Sequence, residues 1–123
     1  MTIGGFMDPA VFELHGNRFD AYVRPAAGST QLCAWRLTVP AALDGTSHRP
    51  DREEVLLGLS GELAVTVDDH THRLVPGEVV LVPAAARLRV SGGPDGGSAW
   101  VTTTVGLRAT TDDGAVLAPP WCG

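Results

Sequence analysis

The sequence predicts one all-β domain, built as a sandwich, jelly roll or closed barrel. Three observations carry that expectation. No window of useful length repeats apolar residues at a helical period. Short strand-like runs recur instead, each closed by Gly, Pro or Asp. The length of 123 residues suits a single domain with its own core, and no linker or internal repeat divides it.

In chain order the expected strands cover 11–14, 19–24, 31–39, 54–59, 62–67, 71–75, 78–82, 87–91, 99–107 and 115–117. The reversals between them read Pro25-Ala26-Ala27-Gly28, Ser60-Gly61, Asp68-Asp69, Pro76-Gly77, Gly92-Gly93-Pro94-Asp95-Gly96-Gly97 and Asp112-Asp113-Gly114. Each supplies residues that tolerate turn geometry. The segment 92–97 reads as the most flexible part, either a mobile rim or a plain hairpin loop. The ends, 1–6 and 108–123, are less regular. Pro119-Pro120-Trp121 suggests an extended tail whose indole docks on something apolar.

Composition removes several function classes. The formal net charge is −5, so the basic footprint of a nucleic-acid binder is missing. No apolar run approaches membrane-spanning length, and the first residues lack a signal-peptide layout. The sequence contains no lysine, which excludes Schiff-base chemistry and a phosphate loop with its lysine. Cys33 and Cys122 are too few for a disulfide framework and form no CxxC. The expectation is a buried thiol and a tail thiol in a reducing cytoplasm.

Residues 45–63 contain His48, Pro50 and Glu54, with Gly61 seven positions after the glutamate; residues 77–92 run from Gly77 through Pro83 to Leu88 and Gly92. These two stretches resemble the two conserved motifs of the cupin family, so a cupin-type jelly-roll β-barrel over 1–123, with its core at about 29–107, is expected. In metal-binding cupins three histidines and a glutamate converge on one ion. By that resemblance His48 matches the first histidine and Glu54 the glutamate, while Pro50 and Leu88 stand where the other two histidines belong. Neither of those side chains has a lone pair to give. Two donors fall short of a catalytic zinc site or a non-heme iron triad, so no cofactor is expected and a divalent metal is disfavoured. The resemblance also implies a homodimer, often formed by edge-strand exchange.

The remaining chemistry lies with His48 and Glu54. A carboxyl and an imidazole in an apolar pocket shift each other's protonation and can move a proton near neutral pH, with Glu54 orienting His48. The alternative is a structural Glu54 and an exposed loop His48. On 31–39, Cys33, Trp35 and Leu37 share one face and Ala34, Arg36 and Thr38 the other. Either face could look into the barrel; Arg36 inside would anchor a carboxylate, and Arg36 outside would be solvated. Trp35, Leu88 and Trp100 are candidate pocket residues. Ser60 in Gly58-Leu59-Ser60-Gly61 lacks the spacing of a nucleophile elbow. His70 and His72 read as a solvated hairpin, or as replacement ligands. The functional expectation is a protein that binds a small organic molecule in its barrel, as a metal-independent isomerase or cyclase. A non-catalytic binding or sensing module and an atypical metal-dependent oxygenase or isomerase are the alternatives.

Overall fold

The computed structural model describes residues 5–123. Ten strands and one 3₁₀ turn at Pro25–Ala27 make up its regular structure, with no α-helix among the described residues. The irregular N-terminal end expected at 1–6 lies mostly outside the described residues.

Strands β1 (Ala10–Leu14), β2 (Asn17–Val23) and β3 (Leu32–Val39) form an antiparallel run that continues onto β8 (Leu88–Thr104). The short β4 (His48–Pro50) bridges β8 to β9 (Ala109–Thr111), and β10 (Val116–Leu117) closes that edge. The 14-residue β5 (Glu54–Val67) pairs with β6 (His70–Leu74), with β7 (Val79–Val82) and along most of β8. All of these pairings are antiparallel, and the sheet curls into a jelly-roll barrel with one apolar interior.

Two long strands hold the barrel together, and glycines let them bend. Sequence expectation split each into two and placed a flexible loop at 92–97. In the structure β8 runs straight through that segment. The reason is steric. A Cβ at Gly92 would sit 2.0 Å from the Pro40 carbonyl oxygen, and one at Gly97 would sit 2.7 Å from the Glu62 nitrogen. These glycines are there because backbone passes against backbone, a positional role of glycine inside strands. Opposite them the β5–β8 register shifts between Gly58 and Ser60 and again between Gly61 and Leu63, which bends the pair as β-bulges do.

Alternation decides which side chains enter the barrel. On β3, Cys33, Trp35, Leu37 and Val39 are buried in the core, alongside Leu56, Leu63, Val65, Val82 and Val101. Cys33 and Cys122 are both fully buried and joined as a disulfide, with Cα atoms 5.8 Å apart. This corrects the expectation of two free thiols. A chain reversal after β9 returns the C-terminal tail to the inner face of β3, and 89 residues of sequence separation vanish in space. With the two thiols joined, cysteine usage no longer points to a reducing compartment. Among the described residues no helix is long and apolar enough to cross a membrane.

Candidate functional site

The barrel encloses a cavity of about 110 Å³. Its walls are mostly apolar, with Trp35 and Leu37 from β3, Leu56 from β5, Leu88 and Val101 from β8, and Trp121 from the tail. His48 and Glu54 line the same cavity. His48 opens β4 and sits directly opposite Leu88 of β8 in the ladder. Glu54 opens β5 opposite Val82. The expected pair and the expected Leu88 are thus brought together, and so is Trp35.

Arg36 and Trp100 are not part of the cavity. They face one another across the β3–β8 ladder on the outer surface. Arg36 lies 3.5 Å from the buried Asp20 carboxylate, which also takes Arg18 at 3.0 Å. Trp100 packs on Tyr22, ring centroids 5.5 Å apart. The period-2 alternation that turns Trp35 inward turns Arg36 outward, so Arg36 as an inward carboxylate anchor and Trp100 as a pocket floor are both corrected. His70 and His72 are exposed on the β5–β6 hairpin, and His72 approaches Glu78 at 3.7 Å. They stand outside the cavity lining.

Glu54 is almost fully buried, and burial alone pushes its carboxyl up to about 7. Burial also lowers the His48 imidazole below its ordinary value; the Thr46 carbonyl partly opposes this, and nearby His15 adds to it. Burial thus favours the uncharged form of both groups: Glu54 holds its proton above the ordinary carboxylate range, and His48 takes one up less readily than an ordinary histidine. The Thr46 carbonyl lies 2.8 Å from His48 Nδ1. A carbonyl can only accept, so Nδ1 carries the proton and Nε2 keeps its lone pair. The expectation that Glu54 orients His48 is not met: among the described residues no hydrogen bond or ion pair joins them, and Thr46 does the orienting.

Sequence reasoning missed several members of the site. His15 reaches the cavity from the β1–β2 turn, where its φ of 52° puts it in the left-handed region. The adjoining His15-Gly16 turn was the available signal. Asn17 Oδ1, Trp35 Nε1 and Trp121 Nε1 are buried with no hydrogen-bond partner, and all three residues line the cavity. An unsatisfied buried polar atom costs about 1–3 kcal/mol, and all three of these belong to residues of the cavity wall. As for a metal, no group of three His, Cys, Asp or Glu side chains converges among the described residues. Pro50 and the buried Leu88 cannot complete the pair. The donor set does not fit a resident catalytic metal.

Comparison with known proteins decides the family. The cupin domain model matches residues 35–94, which hold both motifs. The chain belongs to the cupin superfamily. Among solved structures, an RmlC-like cupin from Shewanella frigidimarina aligns with a TM-score of 0.67 at 20% identity, covering 78% of this chain and 83% of that one. A salicylate 1,2-dioxygenase from Pseudaminobacter salicylatoxidans aligns at 0.70 with 15% identity, covering 81% of this cupin but 31% of the dioxygenase. The polyketide cyclase RemF from Streptomyces resistomycificus aligns at 0.67 with 16% identity, covering 79% and 68%. At such identities the likeness is one of fold. In sequence, a protein named endoribonuclease YbeY from Myxococcus xanthus is 34% identical over 74 residues, 59% of this cupin and 25% of that protein. This cupin therefore spans a quarter of the length of that relative.

Proposed function

We propose that this cupin binds a small, neutral organic molecule inside its barrel and moves a proton on it without a metal. The observation that carries the reading is that Glu54, its carboxyl raised by burial, and His48, its imidazole lowered by burial, line one mainly apolar cavity. Glu54 holds a proton to give at a pH where ordinary carboxyls have lost theirs, and His48 Nε2 is free to accept one. General acid–base work of this kind contributes roughly 10²–10⁴-fold. An isomerisation, cyclisation or dehydration beside a carbonyl uses such a pair. With Arg36 on the outer face and no other cation lining the pocket, a neutral ligand suits the cavity better than a carboxylate. The net charge of −5 gives no support to a ribonuclease reading borrowed from the relative's name.

The test is proton exchange on a small cyclic ketone. Chelator-treated protein in D₂O is expected to wash deuterium into the α-positions of cyclohexanone saturably, and His48→Ala and Glu54→Gln to lose that activity by 10²-fold or more. Ketone binding with exchange no faster than in buffer would leave a non-catalytic binding module. That second reading draws on the same cavity and its three unpartnered polar atoms.

The same proposal includes a homodimer. Val55 and Leu59 on β5 and Val79 and Leu81 on β7 expose apolar side chains on the outer face, beside a β7 whose far edge is unpaired. A second copy of the chain is the occupant expected there.

A further inference from the structure

The tail does more than end the chain. Residues 116–122 turn back from β9 through β10 and place Leu117, Pro119 and Trp121 on the cavity wall. Trp121 is 4% exposed and packs against Phe19, Phe12 and Trp35, with ring centroids 4.7, 5.0 and 5.7 Å away. The next residue, Cys122, is bonded covalently to Cys33 near the start of β3, and its carbonyl accepts from Gly106 N at 2.7 Å. One aromatic wall of the pocket is thus delivered by a terminal segment and pinned by a disulfide at its base. Its indole N–H is left without a partner.

We propose that the C-terminal tail is the specificity element of this pocket: Trp121, tethered by the Cys33–Cys122 disulfide, closes the cavity, limits its occupant to about one ring, and offers its N–H to an oxygen on that ring. The inference rests on the ligand-binding reading above. Size follows from the volume. A cavity of about 110 Å³ is near the space that holds a single six-membered ring, since an apolar cavity of ~150 Å³ takes up benzene. Chemistry follows from the orphaned donor, because an indole N–H can only donate and needs a hydroxyl or carbonyl oxygen opposite it. The tether matters because the tail's own backbone pairing is slight: β10 has two residues and pairs only with β9.

The experiment uses the whole chain, oxidised, with phenol, toluene and 1-naphthol as probes followed by calorimetry. Wild type is expected to prefer phenol to the same-shaped toluene by about tenfold and to take up no 1-naphthol. Trp121→Phe should narrow the phenol preference at least threefold. Cys122→Ser should admit 1-naphthol, and its amides beyond residue 106 should exchange with solvent well before those of β5 and β8. An unchanged phenol preference in Trp121→Phe overturns the proposal. So does exclusion of 1-naphthol by Cys122→Ser, or exchange of its tail and barrel strands in step, which would make the disulfide only a staple. If oxidised wild type binds neither single-ring probe, the ligand reading itself fails and takes this inference with it. Wild-type binding with unaltered variants sinks the inference alone.

Discussion

A carboxyl that stays protonated to about pH 7 makes folding depend on pH in a definite direction. Between its ordinary value of 4.5 and about 7, folded Glu54 keeps a proton that the unfolded chain has released. Its contribution to stability is complete below 4.5, shrinks as pH rises, and is gone above about 7, for a total of about 3 kcal/mol. His48 works the other way. Its lowered folded value means stability is lost as pH falls from 6.5 through that value. Urea titrations of wild type and Glu54→Gln across pH 4–8 separate the two. The variant should lack the decline toward pH 7 and retain the loss on the acid side. Parallel curves would mean that Glu54 titrates as if solvated. At this scale the sequence was half legible. Motif spacing located His48, Glu54 and Leu88, because turns and strand starts pin those positions locally. Asn17, His15 and Trp121 arrive from segments remote in sequence, and nothing local marks where they meet.

Strands 19–24, 71–75 and 78–82 were readable because each is a short strand-like run bounded by turn residues, and the observed β2, β6 and β7 lie within a residue or two. The three-residue β4 and β9 were not, since His48–Pro50 and Ala109–Thr111 are too short to show a period. Gly92–Gly97 misled for a physical reason: glycine signals a turn and a close backbone crossing with the same letter. The crossing gives a sharp prediction. Gly92→Ala should destabilise the fold by about 1–3 kcal/mol, the usual cost of overpacking, because its methyl would meet a backbone oxygen at 2.0 Å. A flexible loop at that place would accept the change within about 0.5 kcal/mol, and thermal or urea unfolding distinguishes the two. The cysteines show the same limit. Two residues 89 apart give no hint of pairing until the tail is seen to return to β3.

At the scale of the whole molecule, alternation turns one face of the strands toward the barrel interior and leaves Val79 and Leu81 about 60% exposed outside. Sedimentation should find a dimer, and Val79→Asp with Leu81→Asp should shift it to monomer while circular dichroism stays unchanged; a monomeric wild type would contradict the assembly. The barrel itself follows from two long strands bent by glycines, and its interior from the side chains those strands turn inward. That interior holds the Glu54 carboxyl together with the His48 and His15 imidazoles, and Leu88 stands opposite His48 in the ladder. The function proposed here requires that acid to keep its proton well above the ordinary carboxylate range. Carbon-13 NMR of the Glu54 side-chain carboxyl, followed through a pH titration of metal-free protein, measures this directly. The expected midpoint is about 7. A midpoint in the ordinary carboxylate range, near 4.5, would contradict it.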